Sequence, residues 1–272
     1  MDAMHRTRIA LALSLLSIAF VSAAQEHQHG AMATVTTSTT TVTKVLFGKS
    51  VIFTSSPGEG SGYLSLPSGA GKHPAIIVIQ EWWGVDDWIK QQADRFASQG
   101  YVALAPDLYR GKVATDANLA HELMRGMPQD RAMNDLKGAF NFLAARKDVD
   151  AKHIGVIGWC MGGGYAIDLA LAEPRLAAAV MNYGHTVTDP AAIAKLHPPL
   201  LGNFGGADRG IPAADVKAFE GALKAAGKSV DFKIYDGAGH AFMNPNNTGG
   251  YVETAAKDAG ARIDAFFAHH LR

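Results

Sequence analysis

From residue 45 onward the apolar positions change period repeatedly along the chain. Residues 74–80 (Pro-Ala-Ile-Ile-Val-Ile-Gln) form a continuous apolar run, and 101–105 and 154–158 form two more. Runs of this kind suit strands covered on both faces. Further strands are predicted over 177–181, 199–204 and 230–235. The stretches between them carry helical patterning, predicting helices over 86–98, 130–145, 161–172, 213–226 and 254–269. Gly100 stands just past the first helix as a stop signal, and Pro106 ends the strand after it. Residues 45–54 and 63–66 read as a hairpin at a sheet edge, joined by the turn-rich Ser55-Ser56-Pro57-Gly58-Glu59-Gly60. Strands alternating with helices predict βαβ units, and so an α/β fold on a mostly parallel sheet with helices on both faces. Residues 44–272 read as one domain without an internal repeat.

The first 43 residues follow a different pattern. Arg6 and Arg8 precede an apolar run from Ile9 to Val21, and the small residues Ser22-Ala23-Ala24 come next. That three-part order predicts a secretory signal peptide over 1–24, cleaved after Ala23 or Ala24. A membrane anchor is the alternative, but the run of 13 residues falls short of the roughly 20 that a spanning helix needs. Residues 25–43, with His27, His29 and a Thr/Ser-rich stretch, read as a flexible polar tail. No later stretch is apolar enough to span a bilayer. The expectation is a soluble, monomeric protein, periplasmic or secreted.

Composition narrows the chemistry. Hydrophobic residues make up 48%, charged residues 18%, and the formal net charge is zero. Such a chain is not disordered in bulk, and it lacks the basic excess of a protein that binds nucleic acid through phosphates. Its single cysteine excludes a disulfide framework and any multi-cysteine metal site. His121-Glu122-Leu123-Met124-Arg125 lacks the second histidine of a zinc protease helix, and Ala222 replaces the first glycine a phosphate loop would need before Gly227-Lys228-Ser229. No cofactor or metal is expected.

That cysteine occupies an informative place. Gly158-Trp159-Cys160-Met161-Gly162 lies between a short apolar strand and a helix, which is the setting of a nucleophile elbow with cysteine in the serine position. The turn is sharp, and glycines on either side keep it from colliding with strand and helix. A helix starting at Met161 would aim its free N–H groups and positive dipole end at the sulfur. The competing reading is a buried, inert cysteine among packing glycines.

A thiol nucleophile needs a base, and the base an orienting acid. In this type of fold the chain order is nucleophile, acid, base, each on a loop after a strand. Asp208 follows one strand in Gly205-Gly206-Ala207-Asp208, and His240 follows the next in Asp236-Gly237-Ala238-Gly239-His240. Asp236 competes for the acid role, although it sits only four residues before the histidine. His121, His153, His185 and His197 lack a comparable strand-end setting. Glu81, directly after an apolar strand, is either a carboxylate with a pKa raised by burial or a salt-bridge partner. Trp82, Trp83 and Trp88 either wall an apolar pocket or pack the first helix.

These residues resemble those of the dienelactone hydrolase family of the α/β-hydrolase superfamily. The carriers are Gln80-Glu81-Trp82-Trp83-Gly84, Ala105-Pro106-Asp107-Leu108-Tyr109, Gly158-Trp159-Cys160-Met161-Gly162-Gly163, Gly206-Ala207-Asp208 and Gly239-His240-Ala241-Phe242. The resemblance runs from about Val51 to the C-terminus. It implies an α/β-hydrolase fold, a Cys160–Asp208–His240 triad, and a Glu81 that interacts with the cysteine and helps control its ionisation. It also implies an oxyanion hole made by the N–H groups of Trp82 and Met161, and substrate contacts by Trp83, Tyr109 and Arg110. One departure bears on substrate. Family members acting on dienelactone hold its carboxylate with two arginines; here Arg110 is displaced by one residue from the first, and Asn244 replaces the second. Losing a guanidinium removes a bidentate carboxylate clamp, so dienelactone itself is not the expected substrate. Export also argues against an intracellular role in aromatic degradation. The expectation is a hydrolase of a small-molecule lactone or activated ester. The alternatives are a thiol redox protein using Cys160 and a non-catalytic small-molecule binding protein on the same fold.

Overall fold

The structure is a computed structural model that describes residues 46–56 and 58–272; the signal-peptide and polar-tail readings lie outside the described residues. Eight strands form one sheet in the order β1-β2-β4-β3-β5-β6-β7-β8. The strands are β1 (Lys49–Ser55), β2 (Gly58–Ser65), β3 (His73–Ile79), β4 (Val102–Pro106), β5 (Val149–Trp159), β6 (Ala178–Asn182), β7 (Leu200–Gly205) and β8 (Val230–Tyr235). The β1–β2 hairpin and the β2–β4 pair are antiparallel, and every other pairing is parallel. The helices are α1 (Asp87–Ser98), α2 (Ala117–Gly126), α3 (Gln129–Ala144), α4 (Met161–Ala172), α5 (Pro190–Ile193), α6 (Ala213–Ala225) and α7 (Glu253–Leu271).

The continuous apolar runs lie in the middle of the sheet for the reason they were legible. Along β3, Ala75, Ile77 and Ile79 enter a core shared with α3, α4 and α6, whereas Ile76 and Val78 enter a second core shared with α1 and α7. A strand with helices on both faces must be apolar at every position. The second core is aromatic. Phe96 of α1 meets Phe267 of α7 with ring centroids 5.7 Å apart, and Trp88 meets Trp159 at 5.2 Å. Asp86 caps α1 by accepting the Ile89 N–H at 2.9 Å.

Two differences from the sequence reading have physical causes. The segment read as a turn is largely strand, because the ladder pairs Phe53 with Gly60 and closes at Ser55 opposite Gly58. Backbone hydrogen bonding there recruits residues whose composition favours a turn. Helix α2 was not predicted: it is ten residues long, and its apolar face of Leu119, Ala120, Leu123 and Met124 buries only Ala120 fully.

Candidate active site

In a parallel sheet the loops after the strands gather at one edge, and open α/β sheets place their sites there. Five such loops converge here. Glu81 follows β3, Cys160 joins β5 to α4, Tyr183 follows β6, Asp208 follows β7 and His240 follows β8. All but Asp208 line one cavity of about 1370 Å³, and Asp208 reaches it through His240.

Cys160 takes φ 54° and ψ −120°, a strained conformation for a residue with a side chain. It persists because the neighbourhood fixes it. The Cys160 N–H donates to the Asn182 carbonyl at 3.0 Å, and the Cys160 carbonyl accepts from the Gly164 N–H at 3.2 Å inside the first turn of α4. A Cβ on Gly158 would strike the Gly162 carbonyl, and one on Gly162 would strike the carbonyls of Ile79 and Gln80. Only glycine lets strand and helix approach this closely. Buried Asn182 also ties the strand ends together: its amide donates to the Gly158 carbonyl at 3.0 Å and its carbonyl accepts from Asn203 at 2.8 Å.

The backbone N–H groups of Trp82 and Met161 point at the Cys160 sulfur. They favour thiolate, but burial outweighs them and the carboxylate of Glu81 adds to it, so the thiol is pushed up to about 12. At neutral pH the resting sulfur therefore carries its proton. Among the described residues no hydrogen bond joins this thiol to an imidazole.

His240 and Asp208 are joined directly. The histidine Nδ1 lies 2.7 Å from the Asp208 Oδ2, while Oδ1 accepts the N–H groups of Gly210 at 2.8 Å and Ile211 at 3.2 Å. Both carboxylate oxygens are thus occupied, and the imidazole is held with Nε2 free to act. The amide of Asn247 donates to the carbonyls of His240 and Ala241, pinning the loop. Asp236 is exposed and makes no bond to the histidine.

Glu81 is buried beside the cysteine. Tyr183 donates its hydroxyl to Oε1 at 3.3 Å, and Asn244 donates its amide to Oε2 at 2.7 Å. Burial dominates these bonds and pushes the carboxyl up to about 7, with the nearby carboxylate of Asp86 acting in the same direction. The Tyr183 ring stands 5.2 Å from the ring of His240, so one tyrosine contacts both the carboxyl and the imidazole.

The remaining expected contacts divide. Trp82 and Trp83 line the cavity with ring centroids 5.0 Å apart, whereas Trp88 packs in the core. Arg110 does not line it. Its guanidinium is bound to Asp135 at 2.8 Å and to the Glu59 carbonyl, which turns it away from the site. Tyr109 stands behind the wall, with its hydroxyl 3.4 Å from the Met161 sulfur. Sequence reasoning passed over Tyr183 and Asn247, and it weighed His121, Met124 and Arg125 only as part of a metal motif and His121 as a base, setting them aside, although all of them are at the site. It also set aside His185, which lines the cavity paired with Asp168 at 3.1 Å. Among the described residues no group of three or more His, Cys, Asp or Glu is arranged to hold a metal, and no helix is long and apolar enough to cross a membrane.

A strand–cysteine–helix elbow with a histidine–carboxylate pair at the carboxyl edge of a mostly parallel sheet has the architecture of an α/β hydrolase. The model of the dienelactone hydrolase family matches residues 61–271, and the chain belongs to that family. A candidate carboxymethylenebutenolidase of Methylorubrum extorquens is 36% identical over 219 residues, covering 75% of each chain. One from Salmonella typhimurium is 34% identical over 235 residues, covering 80% of this chain and 86% of its own. The crystal structure of a candidate dienelactone hydrolase from Klebsiella pneumoniae superposes with a TM-score of 0.72 at 32% identity, covering 81% of this chain and 99% of that one.

Proposed function

We propose that the protein hydrolyses a small-molecule lactone or activated carboxylic ester by acyl transfer through Cys160, with His240 as base and Asp208 orienting it. Family membership makes it a carboxylic ester or lactone hydrolase. The observation that carries the mechanism is the 2.7 Å Asp208–His240 pair opening onto the cavity that Cys160 lines. The N–H groups of Trp82 and Met161 serve one acceptor at a time. At rest they face the sulfur; in the complex they take the carbonyl oxygen, and the displaced thiol turns to His240. The proton then passes from sulfur to Nε2, and sulfur bonds to the carbonyl carbon. Charge on the tetrahedral oxygen is held by the two N–H groups, typically about 3–4 kcal/mol each. His240 returns the proton to the leaving oxygen, and a water activated by the same nitrogen cleaves the thioester. Glu81 keeps the thiol protonated until substrate arrives. Esters are favoured over amides because the tetrahedral adduct of an amide expels thiolate more readily than the amine and so reverts to substrate.

His240→Ala tests this directly. The imidazole is part-exposed, so folding should survive, while kcat on p-nitrophenyl acetate falls about 10²–10⁴-fold. A kcat within threefold of wild type would remove His240 from the mechanism. We propose further that residues 1–24 export the chain to the periplasm or medium, where it acts as a monomer. N-terminal sequencing of the exported protein should begin at Ala24 or Gln25. A chain retained in the cytoplasm with Met1 intact would reject export.

A further inference from the structure

The cavity is larger than the reaction needs. Ligand sites commonly enclose about 300–1,000 Å³, and this one, at about 1370 Å³, extends well beyond the cysteine. Its lining is uneven. Four of the chain's nine methionines, Met124, Met127, Met133 and Met161, line it together with Ile211. Methionine has three rotatable bonds and a polarisable sulfur, and it moulds itself to apolar groups of differing shape.

The end near the sulfur is hostile to anions. Glu81 and Asp86 both line it. The guanidinium of Arg110 is held outside by Asp135, and the Asn244 amide is committed to Glu81. The only arginine in the lining, Arg125, lies exposed on α2. That helix carries Met124, buries only Ala120 and ends at Gly126, so this part of the wall is lightly held.

We propose that the physiological substrate is an uncharged ester or lactone with a bulky apolar portion, a medium-length alkyl or aryl group, seated on the methionine wall. The proposal rests on the hydrolase reading above and names its substrate class. Burying a methylene is worth roughly a fourfold gain in binding at most, so even partial burial of a chain of several carbons should be easy to measure.

Two substrate series test it with the exported protein: p-nitrophenyl esters from acetate to octanoate, and acetate esters from ethyl to octyl. In at least one series kcat/KM should rise about thirtyfold or more with chain length. Met124→Ser should lose most of that gain, chiefly through KM, and should remain folded because the position is half-buried on a lightly packed helix. Flat or falling series, or an octanoate preference untouched by Met124→Ser, would overturn the proposal. So would faster turnover of a small carboxylate-bearing lactone than of any long-chain ester. If short esters are cleaved in a Cys160-dependent way and length brings no gain, only this inference fails. If no ester of any length is cleaved, the hydrolase mechanism falls with it.

Discussion

Replacing Cys160 with alanine should reduce kcat/KM on p-nitrophenyl acetate by at least about 10⁴-fold, the scale on which removal of a nucleophile is felt. The chain has one cysteine, so the experiment has an unambiguous chemical counterpart. Mass spectrometry of wild type quenched during turnover should find one acyl group per chain, and none on the alanine variant. The thiol's high resting pKa, pushed up to about 12, adds a second expectation. Iodoacetamide at pH 7 should alkylate Cys160 far more slowly than a free cysteine, because thiolate is the reacting species and the free residue has a pKa near 8.5. Under the proposed mechanism catalysis should not suffer the same way, because substrate binding would hand the thiol to His240. The contrast separates a hydrolase from a redox protein, which needs a low-pKa exposed sulfur at rest. Rapid alkylation or peroxide oxidation of Cys160 at neutral pH, with ester turnover intact in Cys160→Ala, would reject the nucleophile.

The sheet was legible because its central strands are buried on both faces. Residues 161–172 were predicted with the observed bounds, and the other central elements fall within five residues of them. Residues 230–235, at the sheet edge and only partly buried, were also predicted with their observed bounds, and there Val230, Phe232 and Ile234 alternate with Asp231 and Lys233. Legibility failed at α2 and at the start of β2. Helix α2 hides one alanine, and β2 runs through Gly58 and Gly60, whose composition favours a turn.

The site divides along a similar line. Cys160, Asp208 and His240 could be singled out as candidates because each stands in a glycine-containing segment directly after a strand, and the structure brings all three to one edge of the sheet. The partners of Glu81 leave none. Tyr183 is one more apolar residue after a strand, and Asn244 gains its meaning only from folding that sets its amide 2.7 Å from a carboxylate 163 positions earlier. Arg110 shows the converse. It stands next to a family motif, yet a positive φ of 57° and the ion pair with Asp135 direct it elsewhere.

Glu81→Gln should stabilise the protein above neutrality and leave it unchanged in acid. Burial raises the Glu81 carboxyl from an ordinary 4.5 to about 7, against the hydrogen bonds from Asn244 and Tyr183 that pull it down. Between those values the folded chain holds a proton that the unfolded chain releases. Stability is therefore lost as pH rises through the window, and the loss is complete once pH exceeds the folded value. Its size is about 3 kcal/mol, from about 1.4 kcal/mol per pH unit over the interval. Glutamine carries no charge, so it escapes the penalty; its one carbonyl oxygen can accept from Asn244 while its amide donates to the Tyr183 hydroxyl oxygen. In a domain of this size the variant should melt about 5–10 °C above wild type at pH 8 and close to it at pH 4.5. The gain should come with lost control of the sulfur. Without the neighbouring carboxylate the thiol ionises more readily, and alkylation of Cys160 should quicken at pH 8 as ester turnover falls. A difference in melting temperature that does not grow between pH 4.5 and 8 would mean that Glu81 does not titrate in this range, and would remove it as the group that holds the thiol in reserve.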